Sequence, residues 1–194
     1  MKELLALGAT FLIIVAYTPY VKDTLNGKTK PHIYSWLISG LITFTAFGLQ
    51  LSDHAGWGVV PTFAAATAGL IIFVLSLGGK RAPITKTDTF FFIMALIATG
   101  LWLIADQAAT SIMIVSLIEI LAFAPTYRKS WQRPDQETLS AYLVNTLRFS
   151  FATIAVQNYT FVTVLYPLTE TLADGLFSLF LIIRRRSLQI AREF

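Results

Sequence analysis

Seven apolar stretches follow one another along the chain, each closed off by a short polar segment. Residues 4–20, 33–51, 57–77 and 89–105 contain no Asp, Glu, Lys or Arg, whereas 108–125, 139–157 and 160–183 are equally apolar in outline but each carries an internal charge. The stretches run from 17 to 24 residues. At about 1.5 Å of helical rise per residue, this matches a hydrocarbon core about 30 Å thick. Only helices and closed barrels satisfy every backbone group in lipid, and the two-residue alternation of barrel strands is missing here. The pattern therefore predicts an all-α membrane protein with seven transmembrane helices. Lys2 and the apolar run after it resemble a secretory leader, but no small-x-small cleavage site follows and Pro19-Tyr20 closes the run, so the first helix is expected to be retained.

Composition agrees. Of the 194 residues, 55% are hydrophobic and only 13% charged, against about 25% charged in an average soluble domain. The mean hydropathy is +0.65. Cysteine is absent, which excludes disulfides, thiolate metal sites and a thiol nucleophile and leaves the redox compartment open. The net charge of +4 follows sidedness rather than a nucleic-acid-binding stripe. Lys22, Lys28 and Lys30 lie after the first helix, Lys80, Arg81 and Lys86 after the third, Arg128, Lys129 and Arg133 after the fifth, and Arg184, Arg185, Arg186 and Arg192 after the seventh. Seven spans put all of these on one side and leave only Lys2 on the other. The positive-inside bias then predicts a plasma (inner) membrane protein with its N-terminus outside and its C-terminus in the cytoplasm.

Shifting the chain by 106 positions superposes Pro19 on Pro125, Pro61 on Pro167, Gly69 on Gly175, Lys22 on Arg128, Trp36 on Tyr142, Leu37 on Leu143 and Leu41 on Leu147. The predicted organisation is a 3+1+3 parallel repeat: a triple-helix bundle over residues 1–78, a linker helix over 79–106, and a second bundle with a basic tail over 107–194. Parallel repeats related by an axis along the membrane normal place a substrate site at their interface near midplane. Pro19, Pro61, Pro125 and Pro167 each remove a helical hydrogen bond and are candidate hinges.

The segments Tyr17-Thr18-Pro19-Tyr20-Val21-Lys22 and Phe123-Ala124-Pro125-Thr126-Tyr127-Arg128 resemble the PQ-loop motif. Each is followed by a basic loop and a Ser-bearing second helix, at Ser35-Trp36 and Ser140-Ala141-Tyr142. The layout is similar to that of SWEET sugar transporters, and also to nicotinamide riboside transporters and KDEL receptors. The resemblance implies two triple-helix bundles joined by a linker helix. It departs from the motif where Tyr20 and Thr126 follow the prolines in place of glutamine, and the third and seventh helices lack the asparagine of SWEET transporters.

Four ionisable residues fall inside predicted spans: Glu119, Arg148, Glu170 and Asp174. Each costs about 2.5–3.5 kcal/mol at a helix centre on insertion scales, so they are expected to meet one another or water. Glu119, Arg148 and Glu170 lie eleven, nine and ten residues into their helices, all at mid-bilayer depth. Tyr159, Thr163, Tyr166, Glu170 and Asp174 form one stripe on the seventh helix, with Asn145 one turn before Arg148 and Ser116 one turn before Glu119. The first bundle offers the milder Tyr17, Ser39, Thr43 and Thr67. The predicted substrate-binding set is Glu119, Arg148, Glu170, Asp174, Asn145, Tyr166, Thr163, Tyr17 and Ser39. A structural ion pair between Arg148 and Glu170 is the alternative. One arginine against three carboxyl groups leaves two negative charges in excess, so a carboxyl group, with Glu119 the first choice, carries a proton or meets a cationic substrate.

The remaining polar residues suggest less. Asp53, His54 and Trp57 read as an outer loop, Trp36 and Trp131 as interfacial anchors, and Arg184–Arg186 as a headgroup cluster. No nucleotide-binding, zinc-protease, calcium-loop or nucleophile-elbow motif occurs, and the two histidines are far apart. The sequence therefore predicts no enzyme, cofactor, metal or nucleic-acid partner. It predicts a carrier, either a facilitator or a proton-coupled secondary transporter, that moves a small polar or cationic solute by alternating access. A receptor or sensor on the same scaffold is the alternative. The expected partners are the small-molecule solute, the lipid bilayer and a proton; a monomer suffices and a homodimer is compatible.

Overall fold

The computed structural model describes residues 1–78, 81–104 and 107–193. Among them are seven α-helices and no strands: α1 (Lys2–Leu25), α2 (Ile33–Ser52), α3 (Val59–Ser76), α4 (Lys86–Leu103), α5 (Ala108–Gln132), α6 (Leu139–Ala155) and α7 (Phe161–Glu193). Lys80, both ends of the predicted linker unit 79–106 and the side chain of Arg192 lie outside the described residues. By length and apolar composition α1, α2, α5, α7 and the segment Gly56–Ser76 holding α3 could each cross a membrane. At 17 residues, α6 is about 26 Å long and falls short of the ~30 Å core.

α3 packs against both α1 and α2, and α7 packs against both α5 and α6. The two sets meet where α1 lies along α6 and α2 lies along α5, and α4 leans on α5 and more lightly on α2. Small residues allow the α1–α6 approach. Buried positions on α1 include the series Ala6, Ala9, Ile13, Ala16 and Tyr20, and those on α6 include the series Ala141, Asn145, Arg148, Ala152 and Ala155, with Tyr142 and Phe149 buried beside it. Both series step by three or four residues, which puts them on a single face. α2 and α3 approach closely at their glycines, where a Cβ on Gly69 would stand 3.4 Å from the Gly40 Cα and a Cβ on Gly40 would stand 2.5 Å from the Leu70 side chain.

The distribution of polarity is the reverse of a water-soluble globule. Leu4, Phe11, Ile14, Val74, Leu172 and Leu176 are exposed, while Arg148, Glu119, Glu170 and Asp174 are buried. Monomeric proteins in water rarely leave so much contiguous apolar surface uncovered.

Several helices outrun the predicted apolar spans. α1 continues five residues past Tyr20 and α5 seven past Pro125, because Lys22, Asp23, Arg128 and Lys129 are acceptable helix formers. Pro19 and Pro125 are therefore interior to their helices rather than at their ends. α1 stops at Gly27, whose φ of 73° favours glycine. α7 remains helical through the arginines to Glu193, so the expected basic tail is part of this helix. Pro61 is in the first turn of α3, where no helical bond is lost. This removes the physical reason for counting it as a hinge.

Candidate functional site

α1, α2, α5, α6 and α7 together line a partly open cavity, bordered by Tyr17, Ser35, Trp36, Ser39, Glu119, Ala122, Phe123, Thr126, Tyr142, Asn145, Glu170 and Asp174. The space within it open to the centres of water molecules is about 50 Å³. That is several times what a single water requires. Six of the nine predicted site residues line it: Tyr17, Ser39, Glu119, Asn145, Glu170 and Asp174.

Hydrogen bonds fix these side chains across the seam between the two helix sets. Ser39 Oγ on α2 donates to Glu119 Oε1 on α5 at 2.7 Å. Asn145 Nδ2 on α6 donates to the Tyr17 hydroxyl on α1 at 3.3 Å. Thr126 Oγ1 donates to Ser35 Oγ at 3.1 Å nearer the basic end. Glu119 Oε2, Glu170 Oε1 and Asp174 Oδ2 are buried with no hydrogen-bond partner among the described residues.

Arg148 departs from its predicted role. Its Nε donates to Asn145 Oδ1 at 3.1 Å and its Nη1 to the Pro61 carbonyl at 3.5 Å, and the guanidinium lies 3.7 Å from the centroid of the Phe149 ring. Glu170 and Asp174 are near enough to feel its charge. Among the described residues, however, no ion pair within 4.0 Å joins it to either, contrary to the structural-pair alternative. Arg148 does not line the cavity; it braces the wall by orienting Asn145.

Tyr166 and Thr163 also stand off the cavity. The Tyr166 hydroxyl shares a hydrogen bond of 2.7 Å with Thr43 Oγ1 and lies beside Glu119 and Glu170. Thr163 is in the first turn of α7, where its hydroxyl donates to the Asn158 carbonyl at 2.7 Å and accepts from the Thr160 amide at 3.0 Å. It organises the start of the helix, and Tyr159 precedes α7 altogether. The predicted stripe therefore reaches back beyond Phe161, where the helix begins.

Other residues play roles the sequence did not suggest. Trp36, expected to anchor in headgroups, faces inward: it lines the cavity, its Nε1 donates to the Tyr20 hydroxyl at 3.1 Å, and its ring packs edge-on with those of Tyr17 and Tyr20. Its offset by 106 onto Tyr142, another lining residue, was the available signal. Trp131 is exposed with the Arg184 guanidinium 4.5 Å from its ring centroid, as an interfacial anchor would be. At the basic end, Arg128 Nε and Nη2 reach Asp88 Oδ1 and Oδ2 at 2.5 and 2.7 Å, and the Thr85 amide donates to Oδ2 at 2.8 Å. His32 Nε2 is 3.2 Å from the same carboxylate, and burial pushes the imidazole below its ordinary value against the pull of Asp88. Lys129 pairs with Glu137, which accepts from the Tyr142 hydroxyl at 3.0 Å and so links that loop to the cavity lining.

No family model matches this chain, and neither a curated protein nor a solved structure is found similar to it.

Proposed function

We propose that the chain is a seven-span membrane carrier with two triple-helix bundles, α1–α3 and α5–α7, joined by α4, and that it moves a small polar or cationic solute by alternating access. The PQ-loop and SWEET-like resemblance belongs to this reading, as do a cytoplasmic basic end and the hinge roles of Pro19, Pro125 and Pro167. One observation carries it: the three buried carboxyl groups, Asn145, Tyr17 and Ser39 converge on a single cavity between the bundles instead of dispersing toward lipid.

The packing supports a repeat. The 106-residue offset turns the α1–α6 contact into the α5–α2 contact. The same offset turns the Gly40–Gly69 approach into that of Thr146 and Gly175, where a Cβ on the glycine would stand 3.4 Å from Thr146 Cγ2. The Lys30 amide donates to the Gln136 carbonyl at 3.2 Å. These two residues are themselves 106 apart, and a residue bonded to its own repeat mate lies beside the axis relating the repeats.

The test is counterflow in liposomes containing the purified protein, over a panel of sugars, amines, amino acids and nucleosides. Saturable exchange of at least one solute is expected, and it should fall to background in Glu119→Gln or Asp174→Asn. Saturable binding with no flux at any pH would assign the scaffold to the receptor class instead.

A further inference from the structure

The cavity lining has two chemical components that the carrier reading does not by itself require together. One is acidic: Glu119, Glu170 and Asp174 are at most 5% exposed, and each has an oxygen without a hydrogen bond among the described residues. The other is aromatic: Tyr17 and Trp36 come from one bundle, Phe123 and Tyr142 from the other. Their rings hold one another in place, with Tyr17 and Trp36 centroids 6.0 Å apart and Phe123 and Tyr142 centroids 6.5 Å apart, both edge to face.

Among the described residues no lysine or arginine lines the cavity. The nearby buried cation, Arg148, is held by Asn145, the Pro61 carbonyl and the Phe149 ring, with its Nη2 without a hydrogen bond among the described residues, and its single charge offsets only part of that of Glu170 and Asp174. A neutral polyol would add nothing against the part of the buried carboxylate charge that Arg148 does not offset, which is costly. A cation cancels it. Among the described residues no group of three His, Cys, Asp or Glu side chains is gathered to hold a metal ion, so the acidic groups surround a volume rather than a point. Aromatic walls add attraction for a diffuse positive charge that a small inorganic ion, with its tightly held water, exploits poorly.

We propose that the cavity binds a compact organic ammonium ion, with its charge balanced by Glu119, Glu170 and Asp174 and its alkyl or N–H surface against Trp36 and the tyrosine rings. This rests on the carrier reading for its consequence, solute movement, but not for the binding itself.

The test is calorimetric titration of the full chain in lipid nanodiscs with methylammonium and tetramethylammonium chloride, against sodium chloride at equal ionic strength, tert-butanol and glucose. The ammonium salts are expected to bind saturably and the other three not to. Trp36→Leu should weaken binding by about fivefold to thirtyfold, the span of a cation–π contact of ~1–2 kcal/mol. Trp36→Phe should keep most of the affinity, and so serves as the folded reference should the leucine variant misfold. Asp174→Asn should weaken ammonium binding without creating binding of tert-butanol. Glucose binding without ammonium binding would overturn the proposal, as would ammonium affinities unchanged in both Trp36→Leu and Asp174→Asn. Ammonium binding without counterflow would keep the ligand class and remove the carrier. Counterflow of a neutral solute without ammonium binding would do the reverse.

Discussion

His32 is buried at the basic end with its Nε2 3.2 Å from Asp88 and with Arg128, Lys129 and the Tyr34 ring around it. Burial holds its pKa below the ordinary 6.5, with Asp88 opposing the shift and the two cations reinforcing it. Below 6.5 the unfolded chain takes up a proton that the folded imidazole refuses. Stability from this group is therefore complete above 6.5, rises with pH in the window beneath it, and is lost as acid reaches the folded-state value. Thermal melts in detergent from pH 7.5 to 5 should show a falling midpoint in the native chain and a flatter profile in His32→Gln; parallel profiles would remove His32 as the cause. The Asp88–Arg128–His32 cluster was not legible in the sequence, because its members lie in separate polar segments where each reads as a solvated topology signal. Glu119, Glu170 and Asp174 were legible for the opposite reason. A carboxyl group inside an apolar run has nowhere to go but a shared polar space, whichever helix it sits on. Trp36 lay between these cases, since a tryptophan one turn into a span suits a headgroup anchor or a cavity wall equally well.

At the level of helices, the apolar pattern located every element but misplaced several ends. Hydropathy stops at the membrane boundary, whereas the helix stops where the backbone requires it, at Gly27 for α1 and beyond the arginines for α7. The prolines show what this changes. Pro167 has no N–H to offer the Thr163 carbonyl one turn earlier, and Gln50 Nε2 on α2 donates to that carbonyl at 3.3 Å instead. The break in α7 is thus capped by a side chain from α2. Gln50→Leu is expected to cost about 0.5–1.5 kcal/mol in the native background. The cost should shrink in a Pro167→Ala background, where residue 167 regains its own N–H. A double-mutant cycle read by thermal melting should therefore give a coupling of at least ~0.5 kcal/mol. Strict additivity would mean that Gln50 does not compensate the proline.

The two helix sets, α1–α3 and α5–α7, are fastened to each other at both ends of the molecule. At the basic end the Lys30 amide meets the Gln136 carbonyl at 3.2 Å, Lys129 Nζ donates to the Lys30 carbonyl at 2.8 Å, and the Thr29 and Thr138 hydroxyls share a hydrogen bond. At the opposite end the Gln157 amide donates to the Ala55 carbonyl at 3.2 Å, Asn158 Nδ2 to the His54 carbonyl at 3.1 Å, and Lys2 Nζ to the Val156 carbonyl at 2.6 Å. The walls behind these fastenings differ in thickness. Toward the basic end the cavity reaches Ser35 and Trp36, in the first turn of α2. Toward the other end Ile42, Thr43, Ala46 and Gln50 are all buried, leaving roughly 16 Å of packed helix beyond Ser39 at 1.5 Å per residue. On the carrier reading, the basic-end fastening, which has less packed helix behind it, is the one expected to open from this arrangement. Because the chain has no cysteine, pairs introduced by substitution can be cross-linked without background. Disulfide formation in Lys30→Cys/Gln136→Cys and in Ala55→Cys/Gln157→Cys should each bring counterflow to background, and reduction should restore it. Only the first should also block entry of tetramethylammonium from solution, because the second leaves the thin barrier free to open. If both cross-linked forms bind and exchange the probe like the unlinked protein, neither end gates the cavity, and a carrier that works by opening its two faces in turn is excluded.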